Sequence, residues 1–356
     1  MRTAVVILNW NTRDYLGRFL PQLLESVRGR DAAVVVADNA SNDGSRELLQ
    51  ERFPEVETFL FEENYGFTGG YNRCLEQLLA RPDAPEYLVL LNSDIDVPDD
   101  WLDPLVAWMD AHPDYAACGP KLLALAAEGG GLRRTERFEY AGAAGGYVDR
   151  YGYPFCRGRV LSRTELDTGQ YDRPADVLWV SGACLLVRAG CWRQIGGLDG
   201  RFFAHMEEID WCWRAQLAGW RVGVVPQSRV WHLGGGTLGA SSPLKLKLNF
   251  RNGLLLLENN LPATLGPRKA LRRIRMRKIL DCCAAIVYLL SGKPSSARAV
   301  RDAHREYRCL RKQAPGHPAA APGAAPKGLW TRCILLQAAL RGDGIFKYLR
   351  RYEDRY

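Results

Sequence analysis

Residues 87–98 read YLVLLNSDIDVP. Five apolar residues in a row, followed by a turn that carries two carboxylates and is closed by a proline, describe a strand buried on both faces that ends abruptly in polar chemistry. Upstream, residues 3–8 (TAVVIL), 33–37 (AVVVA) and 56–61 (VETFLF) repeat the short β-branched or aromatic texture. Between them, residues 15–27, 44–52 and 69–79 carry helical patterning, and Ser41, Asn42 and Asp43 supply capping side chains before the second of these. This repeated strand–helix order predicts an open α/β sheet, mainly parallel, whose ligands sit at the carboxyl ends of the strands.

Downstream of that unit the pattern loosens. A helix is expected at 99–110, and the Gly-rich residues 115–175 read as loops around a few short strands. Residues 176–187 read as a strand pair or bent strand, followed by helices at 189–195 and 207–218 and strands at 222–225 and 230–233. Beyond residue 241 the texture is helical and basic, over 243–259, 268–291 and 295–312. A Pro/Ala linker at 314–326 and a final helix within 327–356 complete the chain. The division expected is a first domain over 1–241, in halves 1–112 and 113–241, a basic helical region over 242–313, the linker and the last helix.

The 356 residues are 47% apolar, enough to build a large core and to exclude wholesale disorder. Net charge is −9 over residues 1–241 and +17 over the remainder, so the basic, partner-seeking surface belongs to the C-terminal part. The ten cysteines form no CxxC pair and read as reduced, mostly buried thiols. The N-terminus runs into its first strand without the features of an export signal, which gives the expectation of a cytoplasmic protein.

Polar residues cluster where the sheet would present them. Asn9 and Asn11 follow the first strand, Asp38 to Ser41 the second, and Asn64, Gly66, Gly70 and Asn72 the third. Short amides, a carboxylate and close-approach glycines suit a base and ribose, although each segment alone could be an ordinary turn. No GxGxxG opens the first strand–helix turn, and GxxxxGK[ST] is absent. Asp94 and Asp96, two residues apart, are expected to project to one side and converge on a hard cation, whereas Asp99 and Asp100 belong to a helix start.

In order and spacing, NWN, DNAS with DGS, NYGFTGGYN and NSDID resemble the nucleotide-sugar half of family 2 inverting glycosyltransferases with the GT-A fold, most closely their rhamnosyltransferase-like members. Trp179 to Cys184 is similar to the family's acceptor-side segment, as are Gly196 to Asp199, Phe202-Phe203 and the run Glu207 to Arg214. The resemblance covers about residues 3–260. It implies Mg²⁺ or Mn²⁺ held by Asp94 and Asp96, with His232 as a third ligand or a contact to the diphosphate. It also implies that Glu208 is the catalytic base. The family more often has Asp there, so Glu207 competes for the role, while Asp210 could simply pair with Arg214 one turn on. Trp179, Gly182, Glu207 and Trp211 are the acceptor-side candidates; tryptophans are also common core residues.

Such chemistry needs a base to take the proton of the acceptor hydroxyl and positive charge for the departing diphosphate. The donor implied is a nucleotide sugar (dTDP-rhamnose or a UDP-sugar), and the acceptor a glycan or lipid-linked glycan. In the basic segment, Arg268 to Lys278 precede a twelve-residue apolar stretch, too short to span a bilayer. It suits an anionic membrane surface or packing against the catalytic domain or a second copy. Nucleic acid is disfavoured because no aromatic platform accompanies the charge. A non-catalytic membrane adaptor that retains the nucleotide-binding fold is the rival to an enzyme.

Overall fold

The computed structural model describes residues 1–234, 242–313, 320–321 and 323–351. Strands β1 (Thr3–Asn9), β2 (Ala32–Asp38), β3 (Glu57–Leu60) and β4 (Tyr87–Leu91) alternate with helices α1 (Arg13–Val27), α2 (Ser45–Arg52) and α3 (Gly66–Leu79). All four strands are parallel, in the order β4-β1-β2-β3. Every residue of β4 is buried, as continuous apolar runs require when both faces are covered. The register pairs Asn9 with Asp38, so the polar residues that close β1 and β2 stand side by side at one sheet edge.

The chain continues through β5 (Ile95–Asp96), α4 (Asp103–Ala111), the hairpin β6 (Tyr115–Glu128) and β7 (Gly131–Phe138), then β8 (Gly146–Asp149), β9 (Pro154–Cys156), β10 (Arg159–Val160), β11 (Arg163–Thr164), β12 (Ala175–Asp176), β13 (Cys184–Arg188), α5 (Ala189–Ile195), α6 (Glu207–Leu217) and β14 (Arg221–His232). Strands β1–β7 and β12–β14 form one mixed sheet, in which β13 runs antiparallel between β4 and β6. Much of residues 115–175 is thus strand rather than loop. Gly119 and Pro120 interrupt the apolar run of β6, and the β6–β14 register slips across Val224 and Arg229 to absorb the proline's missing donor. The same slip explains why β14 reads as two strands in the sequence. Helix α4 begins at Asp103 rather than near residue 99, because Trp101 is fully buried and bonds Ser26 Oγ at 3.0 Å.

The basic region forms α7 (Pro243–Leu265), α8 (Pro267–Leu290) and α9 (Pro294–Leu310). Leu254 to Leu257 of α7 are wholly buried within the main core. The chain end expected as one helix instead forms β15 (Leu329–Trp330), α10 (Ile334–Arg341) and α11 (Ile345–Arg350). Strand β15 joins β8–β11 in a second sheet, and Gly342, with φ +52°, breaks the helix that follows. Most of the Pro/Ala linker, and Gly235 and Gly236 after His232, lie outside the described residues.

Candidate active site

The strand ends of the first half are stitched together by their own amides. Asn9 is fully buried and donates to Asp38 Oδ2 at 2.8 Å and Ser41 Oγ at 2.9 Å, while Asp38 Oδ1 receives Arg46 Nε at 2.6 Å. Asn11 takes a left-handed backbone, φ +53°, and accepts from the Asn42 amide at 2.8 Å. Asn39 fixes the third strand end, donating to Asn64 Oδ1 at 2.8 Å and accepting from the Tyr65 amide at 3.0 Å. The pocket-facing roles expected of Gly70 and Asn72 do not hold. A Cβ on Gly70 would lie 2.6 Å from Leu8, so this glycine lets α3 approach β1. Asn72 spends both amide atoms on the backbone of Leu198, each at 2.8 Å, and so anchors the turn before α6. Gly66 has φ +70° and packs against Phe203, whose carbonyl accepts from the amides of Phe67 and Thr68 at the start of α3.

After β4 the two aspartates part company. Asp94 Oδ1 lies 3.1 Å from His232 Nε2, whereas both oxygens of Asp96 are taken by Arg134, each at 2.8 Å. Arg134 comes from β7 and stacks on Trp231, which stands opposite Asp96 in the β5–β14 pair. The convergence on one cation expected of the pair is not seen here, where a guanidinium from a distant hairpin holds Asp96. Glu139, in a stretch read as loop, has a carboxylate oxygen 3.4 Å from His232 Nδ1, an ion-pair distance. Burial lowers the imidazole pKa, but the Asp94 and Glu139 charges outweigh it and lift His232 to about 10. Burial opposes ionisation of Asp94, yet His232 holds its carboxyl below the ordinary range. Among the described residues no three His, Cys, Asp or Glu groups form a metal cage. The donor set here, the Asp94 carboxylate while His232 keeps its proton, fits a cation that takes its other ligands from a bound diphosphate.

The acid-rich helix start is built differently. Phe203, His205 and Met206 all have positive φ (62°, 72° and 71°), a costly run for residues with a Cβ. Asn252 of α7, fully buried, pins that run by donating to the carbonyls of Phe202, Ala204 and His205 at 3.0, 2.8 and 2.7 Å. Arg251 adds a bond to Phe202 at 2.6 Å. Asp210 is wholly buried and satisfied by Arg214 at 2.7 Å and by Asn259 and Asn260, each at 2.8 Å, which makes it an anchor between α6 and α7. Glu207 is also buried, and burial together with the charges of Glu208 and Asp210 raises its carboxyl well above the usual range. Glu208 remains partly exposed. Burial of its carboxyl pushes it up to about 7, although neighbouring backbone amides, including that of Gly182, work against the rise.

Gly182 joins the two halves. A Cβ there would sit 3.3 Å from Phe67 of α3 and 3.6 Å from Glu208 Cβ. Its neighbour Ala183 accepts from the Asn92 amide at 3.0 Å, two residues before Asp94. Trp179 and Trp211 are not acceptor faces. Trp179 lies beneath Gly146 and bonds the Tyr147 carbonyl at 3.1 Å, and Trp211 stacks on Trp192 and bonds the Gly196 carbonyl at 2.9 Å. Glu139, Arg134 and Asn252 escaped the sequence reading, since none stands in a local motif and each acts on a residue about fifty or more positions away, save Arg134, which is 38 from Asp96.

Residues 1–252 match the model of "Glycosyltransferase like family 2". The chain belongs to that family. It is accordingly an inverting glycosyltransferase with a GT-A-like fold. It is 28% identical over 234 residues to the N-acetylglucosaminyl-diphospho-decaprenol L-rhamnosyltransferase of Mycobacterium tuberculosis, covering 64% of this chain and 75% of the relative. To the rhamnosyltransferase WbbL of Escherichia coli it is 23% identical over 232 residues, 64% and 82% of the two chains. Two solved structures share the fold. The mannosyltransferase PcManGT of Pyrobaculum calidifontis, with GDP-Man and Mn²⁺, has a TM-score of 0.50 at 16% identity, covering 99% of this chain and 84% of that one. GalNAc-T7, with UDP, GalNAc and Mn²⁺, has a TM-score of 0.52 at 21% identity, covering 70% and 47%.

Proposed function

We propose that this glycosyltransferase moves a deoxysugar, rhamnose, from a dTDP-sugar to a hydroxyl of a lipid-linked glycan at the cytoplasmic face of a membrane, with Glu208 as the proton acceptor. The observation that carries the reading is the contrast within Glu207–Asp210. Asp210 is fully bonded, Glu207 is sealed in, and Glu208 alone is partly exposed, with its carboxyl lifted to about 7, where a base can both be ionised and accept a proton. The sugar and the lipid-linked acceptor follow the names of the relatives above, and the dTDP carrier follows the family resemblance of the sequence; a UDP-sugar is the other donor to be tested.

Asn9, Asn11, Asp38, Asn64 and Gly66 shape the edge where base and ribose would bind. His232, cationic between Asp94 and Glu139, offers positive charge to a departing diphosphate. A divalent ion, Mg²⁺ or Mn²⁺, would be held by Asp94, joined by His232 only once that imidazole gives up its proton, and when bound would polarise the diphosphate as a Lewis acid. Glu208, set by the Asn252-bound loop, takes the acceptor proton on the side of the sugar opposite the diphosphate. The test is release of nucleoside diphosphate from dTDP-rhamnose and UDP-sugars, with a lipid-linked acceptor, for the parent and Glu208→Gln, with and without Mn²⁺. Acceptor-dependent release by the parent alone supports the assignment. Equal release by both proteins overturns Glu208 as base.

A further inference from the structure

The rotation of α8 is fixed from within. Its inner stripe of Ala270, Ile274, Arg277 and Asp281 is buried. Arg277 Nε bonds Asp281 at 2.8 Å, its Nη1 reaches the carbonyls of Tyr151 and Gly152 at 3.0 and 3.2 Å, and His304 of α9 lies 3.1 Å from the same aspartate. The opposite face is therefore held outward. Along it, at spacings of three and four, run Arg268, Arg272, Arg275, Ile279, Cys282, Cys283, Ile286 and Leu290, all exposed. The stripe is segregated along the axis rather than around it: cations occupy the first turns and apolar side chains the last. Ile279, Ile286, Val287, Leu289 and Leu290 are 55, 56, 59, 57 and 84% exposed.

A cluster of large apolar groups left in water marks a surface that something covers. No described helix is long and apolar enough to cross a membrane. We infer that α8 docks tilted on an anionic lipid leaflet, with its carboxyl-terminal turns set among the acyl chains and Arg268, Arg272 and Arg275 at the headgroups. Twelve residues from Ile279 to Leu290 make a helix about 18 Å long. Tilted, that length suits the roughly 5–10 Å depth that interfacial helices reach. The basic turns complement anionic headgroups, in a part of the chain whose net charge is +17. A second copy suits the face poorly. A two-fold contact through the stripe sets arginines against arginines when the helices run parallel and against leucine and isoleucine when antiparallel. The inference rests on α8 and not on the catalytic assignment.

The test uses the full chain in flotation with phosphatidylcholine vesicles, with and without phosphatidylglycerol. The parent is expected to float with the anionic vesicles and to be released by salt. The triple variant Ile286→Ser, Val287→Ser, Leu290→Ser should lose at least about tenfold in floated fraction. Arg268→Glu, Arg272→Glu, Arg275→Glu should lose the preference for phosphatidylglycerol. Both should melt with the parent and release nucleoside diphosphate at the parent rate with a detergent-solubilised acceptor. A polarity-sensitive probe on Cys282 and Cys283, in a chain whose other accessible cysteines Cys309 and Cys333 are replaced by serine, should shift to the blue on anionic vesicles, which keeps the test valid where a variant of α8 fails to fold. A parent that does not float, variants that float as the parent does, a probe that does not shift, or a dimer dissociated by the serine variant would each overturn the docking. Loss of turnover with flotation intact would instead strike the catalytic reading.

Discussion

Asp94 and Asp96 leave the end of β4, and Glu207 and Glu208 open α6; both are pairs of acids close in sequence at one edge of the fold. The first pair is met by cations: His232 faces Asp94 and Arg134 grips Asp96. Among the described residues the second pair meets none, and one oxygen of each glutamate is buried without a partner there. The aspartate beside His232 is thereby kept ionised, while both glutamates are biased towards holding a proton. One pair is arranged to manage fixed charge and the other to exchange a proton, and the difference comes from partners rather than from the acids themselves.

Removing the proton acceptor breaks the contrast most severely. Glu208→Gln is expected to lower kcat by about 10²- to 10⁴-fold, with donor binding retained in a thermal-shift titration. Next comes its support. Asn252→Ala takes its bonds from the Ala204 and His205 carbonyls and leaves Phe202 to Arg251, and is expected to reduce kcat by roughly 10²-fold, since small misplacements of reacting groups cost that much, with a smaller change in KM. The pH profile then sharpens the assignment: Glu208 must be ionised to act, so kcat/KM should rise about tenfold per pH unit up to about 7 and level off above it. On the other pair, Asp94→Asn should cost about tenfold or more in turnover, and Asp96→Asn, whose carboxylate serves Arg134, no more than about threefold. Steady-state kinetics on the two variants decides between divergence and a shared cation.

The smallest effect concerns stability. The fold raises the Glu207 carboxyl above its unfolded value, so its ionisation on going from acid to neutral pH works against folding. Glu207→Gln removes that penalty. Its melting temperature should exceed the parent's at pH 8, with the gap closing towards pH 5.

The parallel half of the sheet was legible because β1, β2 and β4 are largely buried and carry no competing pattern, and the polar residues after β1, β2 and β3 stood where topology puts them. Side-chain direction was not legible. Asn72 resembles a ligand-facing amide until Leu198, 126 residues away, takes both of its atoms. Trp179 and Trp211 have rings fit to stack on a sugar, but their indole N–H groups are consumed by Tyr147 and Gly196 in the interior. Two carboxylates at i and i+2 imply one face only if the strand continues regularly and nothing else claims them, and Arg134 arrives from a hairpin that the glycines at 129–131 disguised as loop. The strained turn before Glu207 had no signal at all, because its cost is met by Asn252 from another helix.

Strand β15 pairs with β8 in parallel, the Val148 amide bonds the Gly328 carbonyl at 3.1 Å, and Asp149 receives the Ile334 amide at 2.9 Å, 185 positions along the chain. A nascent polypeptide cannot make those bonds until residue 334 has left the ribosome. Closure of such distant partners is slow, so the β8 edge of the small sheet stays open during synthesis until residues 328–334 arrive to cover it.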